Sequence, residues 1–97
     1  SGRTAQKVAE KMSILSRHHQ VICITHLPQI AAMADQHFLI SKNVVNQSTV
    51  SNISRLKEKE TIEELARMLG GVKVTDTVLE SAKEMKELAK SVKKSQS

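Results

Sequence analysis

A short apolar run, Val21-Ile22-Cys23-Ile24-Thr25, demands more of its surroundings than this chain contains. The run is continuous in apolar character, not alternating, and it is rich in β-branched residues. That pattern suits a strand covered on both faces, as in a parallel sheet. A parallel strand needs a parallel neighbour, and no second run of this kind is encoded in the 97 residues. The sheet is therefore expected to be incomplete. Another segment, or a second copy, is needed to cover residues 21–25.

The rest of the chain reads as helices and a hairpin. Ala5, Val8, Ala9, Met12 and Leu15 recur at helical spacing, which predicts a helix from residue 4 to about residue 16. His26 and Leu27 follow the apolar run at once. Pro28 suits the first turn of a helix that Gln29 to Ala34 would complete. Extended runs at residues 37–42 and 49–55 flank a polar stretch, residues 43–48, which predicts a hairpin with a longer loop. Thr61 and Glu64 have capping-box spacing, and Ile62, Leu65, Ala66 and Leu69 form the apolar face behind them. Gly70-Gly71 stops that helix. Thr75 or Asp76 starts the last one, with Val78, Ala82, Met85, Ala89 and Val92 along one side. One domain over residues 1–92 is expected, with residues 93–97 as a disordered tail.

Composition narrows the function classes. Phe38 is the one aromatic residue, so the core must be aliphatic. The longest apolar run is Ile30 to Ala34, far below the roughly 20 residues that span a bilayer. Neither a membrane partner nor a signal peptide is expected. Ser1 in the first position implies a removed Met, a fragment, or a tag remnant that includes Gly2. Cys23 cannot form an intrachain disulfide, and its neighbours predict a buried, reduced thiol. The net charge of +5 draws on Lys83, Lys86, Lys90, Lys93 and Lys94. These lysines are interleaved with Glu80, Glu84 and Glu87, which favours a solvated helix face over a phosphate-binding stripe. Without stacking aromatics, single-strand binding is not expected.

Thr25-His26 is the most pointed candidate for chemistry. Ligands of open α/β sheets bind outside the carboxyl ends of the strands, and His26 stands at that place. Position alone leaves a ligand-facing histidine and a strand-end cap equally open. His18, His19 and His37 lack zinc-ligand spacing, and no metal site is expected. There is no glycine-rich phosphate loop and no nucleophile elbow.

The stretch Val21-Ile22-Cys23-Ile24-Thr25-His26-Leu27-Pro28-Gln29-Ile30-Ala31-Ala32-Met33-Ala34-Asp35 closely resembles the H-loop region of the RecN family. Ala66-Arg67-Met68-Leu69-Gly70-Gly71 resembles that family's segment after the hairpin, and Ser1-Gly2-Arg3-Thr4-Ala5-Gln6 the end of its D-loop and the helix after it. The resemblance implies an α/β fold: part of the head lobe of an SMC-like, ABC-type ATPase, with one parallel-type strand, a β-hairpin and flanking helices. It implies a parent ATPase acting in DNA double-strand-break repair and recombination, cytoplasmic and nucleoid-associated. The isolated fragment is expected to be inactive and to bind no cofactor, because ATP and Mg2+ are held largely by segments that precede it. Its implied partners are the N-terminal part of its own head, a second head in an ATP-dependent dimer and, through the whole protein, DNA. His26 would be the γ-phosphate switch, with Thr25 and Gln29 as neighbours in the nucleotide loop. Ser1, Gly2 and Arg3 would belong to the D-loop. Alone, the fragment is expected to self-associate or to be marginally stable. The alternative reading is a small basic interaction or DNA-binding module without an ATPase role.

Overall fold

The structure is a computed structural model, and it describes residues 2–96. Four helices and one hairpin follow in the order α1 (Gly2–Leu15), α2 (Pro28–Ala32), β1 (Phe38–Val45), β2 (Ser48–Arg55), α3 (Glu58–Gly70) and α4 (Asp76–Ser95). The fold is mixed α/β and the sheet is not closed, as the sequence implies.

The core is a small aliphatic cluster where α1, α2, α3 and α4 meet. Ala9, Ala32, Met33, Leu65, Ala66, Ala82 and Ala89 are buried there. Alanine predominates, so the helices approach closely and each side chain contributes little apolar area. Leu65 is the large side chain most fully enclosed. In α1 the stripe is only partly used: Ala5 and Ala9 are buried, whereas Val8 and Leu15 are exposed.

Helix ends follow local chemistry. α3 starts earlier than the Thr61 capping box suggests. Its first turn is the polar run Glu58-Lys59-Glu60, and the Glu60 carboxylate accepts from the Lys57 backbone N–H at 2.8 Å. Thr61 is instead buried inside the helix, and Glu64 pairs with Arg67. Gly71 closes α3 at φ +66°, a conformation that costs glycine little, and its N–H donates to Arg67 O. Thr75 caps α4, its Oγ1 accepting from Val78 N at 3.2 Å. α4 runs on to Ser95, past the point at which the sequence suggests disorder.

The hairpin is longer and tighter than its sequence implies. β1 and β2 pair antiparallel from Phe38↔Arg55 to Val45↔Ser48. A two-residue turn joins them, with Asn46 and Gln47 both at positive φ, 49° and 65°. That is the sign pattern of a type I′ turn, whose twist matches the strands. Among the described residues, neither strand packs against a helix. Phe38, Ile40, Val44 and Ile53 are all exposed.

No strand forms at residues 21–25. The segment leads from α1 to α2 without a ladder, since the described residues supply no strand beside it. Ile22 is 84% and Ile24 87% exposed. Cys23 is exposed as well, which corrects the expectation of a buried thiol.

Candidate functional site

The loop that carries His26 is short and internally bonded. Thr25 Oγ1 accepts from Leu27 N at 3.0 Å, so the chain turns at His26 and leaves its ring exposed. Leu27 O then accepts from Ile30 N (3.2 Å) and Ala31 N (3.1 Å), which starts α2 behind Pro28. Proline fits there because its missing N–H would have had no helical partner.

The two parts of the expected site come together on one side. A side chain at Gly2 would have its Cβ 3.1 Å from Gln29 Nε2, so α1 starts directly against α2. Gln29 is half-buried, and Arg3 is exposed in the first turn of α1. Ser1 lies outside the described residues.

Thr25, His26 and Gln29 are compatible with one contact to a terminal phosphate but not with a whole nucleotide pocket. His26 offers one exposed ring on a braced turn, and no run of glycines surrounds it. Among the described residues, no group of three or more His, Cys, Asp and Glu side chains lies together as a metal cage would require. No helix among them is long and apolar enough to cross a membrane.

Behind the loop stands a cluster that sequence reasoning missed. Lys86, placed by its sequence on a solvated face, is buried at 8% exposure. Its ammonium donates to Ala32 O at 3.1 Å and to Ala34 O at 2.9 Å, and lies 2.8 Å from His37 Nε2. His37 must accept through that nitrogen, so its proton sits on Nδ1. Burial holds Lys86 down to about 8, helped by the nearby Lys93 and Lys90 charges. Burial likewise pushes His37 down to about 4, with Lys86 and Lys93 adding to the effect. At neutral pH the pair is therefore a charged lysine on a neutral histidine. One signal was visible in the sequence: Lys86 falls four residues after Ala82 and three before Ala89, inside the apolar stripe of α4.

Three more lysines of α4 are also engaged. Lys93 Nζ bonds Asp35 Oδ1 at 2.9 Å and Ala34 O at 3.3 Å. Lys83 pairs with Glu80 at 3.3 Å, and Lys90 with Glu58 at 3.1 Å. A face whose cations are spent on carboxylates and carbonyls has less charge to offer to phosphates.

No family model matches the chain. It is 50% identical over 93 residues to the DNA repair protein RecN of Halalkalibacterium halodurans. It is 46% identical over 93 residues to that of Bacillus subtilis, and 39% over 88 residues to that of Haemophilus influenzae. These alignments take in 96%, 96% and 91% of this chain but 16% of each relative, so the chain spans a small part of the proteins that it matches. Matched over nearly all its length at this level of identity, the chain belongs to the RecN family, where it corresponds to the C-terminal portion of the members.

Proposed function

We propose that this chain is the C-terminal lobe of an SMC-like ATPase head that works in DNA double-strand-break repair and recombination. The observation that carries the reading is the unpaired segment at residues 21–25 leading straight into an exposed, braced His26. Two isoleucines at 84% and 87% exposure fit a strand whose neighbours come from another part of the head. The N-terminal part of the head would supply those neighbours, the phosphate-cradling loop and the Mg2+ ligands. A second head would close on the first across bound ATP, in a protein located in the cytoplasm at the nucleoid.

In this reading His26 donates a hydrogen bond where negative charge spreads over the terminal phosphate oxygens during hydrolysis. A donor in that place helps most once charge redistributes in the transition state. Thr25 holds the turn through its bond to Leu27 N, and Gln29 lies beside the start of α1. Gly2 and Arg3, with Ser1 before them, belong to the end of the D-loop that communicates between heads, where it runs into α1. The fragment alone lacks the means to bind or hydrolyse ATP.

The test is His26→Ala in the complete protein. Removing one such donor costs other enzymes about 10²–10³ in rate, and a loss near the lower end is expected because the other phosphate contacts remain. Single-turnover hydrolysis should fall while nucleotide affinity stays level. Normal hydrolysis with weakened binding would make His26 a binding residue and refute the switch assignment.

A further inference from the structure

Lys86 joins three elements at one point. Its ammonium donates to the carbonyls of Ala32, the last residue of α2, and Ala34, just beyond it, and meets His37 at the base of the hairpin. Carbonyls at a helix end have no partner within the helix. Burying a lysine is costly unless its donors are used, and here each of its three N–H groups has an acceptor.

From the Ala34 end a continuous series of hydrogen bonds runs back to Thr25, the residue before His26. Ala34 N donates to Ala31 O and Met33 N to Ile30 O, both at 3.2 Å. Ile30 N and Ala31 N donate to Leu27 O, and Leu27 N donates to Thr25 Oγ1. Residues 25–34 thus form one bonded unit with the histidine at its exposed end and Lys86 at its buried end. Lys93 supports the same end through Ala34 O and Asp35.

We propose that Lys86 is a positioning residue for His26: from α4, it pins the far end of the bonded unit and so fixes the loop that presents the imidazole. The consequence for catalysis rests on the reading of His26 given above, while the pin itself does not. α4 also packs on α3 and directly on α2.

The test uses the complete RecN-family protein that carries this segment, with two readouts. The first is hydrogen exchange without nucleotide. In Lys86→Met, peptides covering residues 27–34 should exchange about tenfold faster while α3 peptides stay within about twofold. The second is single-turnover hydrolysis, which should slow about tenfold with nucleotide affinity unchanged. Lys86→Arg keeps a charge and donors on a larger, planar group and should shift both readouts less than Lys86→Met does. Lys86→Met combined with His26→Ala should be no slower than His26→Ala alone, because both act through one imidazole.

Unchanged exchange over residues 27–34 would overturn the pin. Additive losses in the double variant would overturn the link to His26. If His26→Ala alone leaves hydrolysis intact, the switch reading fails and the positioning role falls with it, even where the exchange result holds. If Lys86→Met does not fold, Lys93→Met replaces it, at the rim of the same contact. A loss of about threefold in both readouts is then expected, and no change in either one refutes the proposal.

Discussion

Acidification should loosen the junction of α2, the hairpin and α4 through one group, His37. Its ring nitrogen accepts from the Lys86 ammonium at 2.8 Å, so a proton there would set two cations against each other. The groups that face it are Lys86 and Lys93 of α4, Asp35 and the backbone of Ala34. The first two disfavour the imidazolium, the last two favour it, and burial outweighs them all, bringing the ring from 6.5 to about 4. The sign follows from which state takes up the proton first. Above 6.5 the ring is neutral in both states, and the folded chain keeps its full stability. As the pH falls through 6.5 the unfolded chain binds the proton first, and the loss is complete below about 4.

At about pH 5 linkage gives roughly 2 kcal/mol, and the half-exposed ring reduces that to about 1 kcal/mol through solvent screening. The assay is urea unfolding at about pH 7.5 and about pH 5 for the natural chain and His37→Gln, which can still accept from Lys86 but cannot ionise. Carboxylates titrate in both proteins, so the difference between the two losses isolates His37. The natural chain should lose about 1 kcal/mol more than the variant. Equal losses, or a larger one in His37→Gln, would refute the account of the Lys86–His37 contact.

Two further outcomes follow from exposed backbone and side chains. Gln47→Gly should stabilise the hairpin by about 0.5–1 kcal/mol, since relief of the left-handed strain at the second position of a type I′ turn outweighs glycine's entropy cost; a lower urea midpoint would show that the turn is of another kind. The isolated chain should form dimers or larger species as its concentration rises, and Ile22→Lys with Ile24→Lys should return it to monomer. Sedimentation as a monomer over about a hundredfold range of concentration would show that residues 21–25 are not an open edge.

Much of the architecture could be read from spacing, because burial of a helix face depends on every third or fourth residue. Leu65, Ala66, Ala82 and Ala89 were expected inward and are buried. Gly71 and Thr75 end and start helices as their chemistry suggests. The errors fall where polar residues sit in regular structure. Residues 43–45 and Ser48 look like a loop, yet they pair in the hairpin, since an exposed strand has no apolar alternation to display. Glu58, Lys59 and Glu60 carry no apolar signal, yet the Glu60 carboxylate, accepting from the Lys57 N–H, caps the start of α3 there.

Sequence alone therefore determined the helices, the turn-forming glycine, the incomplete sheet and the place of His26 at the end of an apolar run. These depend on neighbours along the chain or on a repeating pattern. Tertiary structure decided the fates of Lys86 and of residues 21–25. Lysine is normally a surface residue, and only the arrival of two carbonyls and an imidazole from residues 32–37 makes its burial tolerable. The apolar run asks for burial on both faces, but a ladder takes two strands, and among the described residues none pairs with it, so Ile22 and Ile24 stand in solvent.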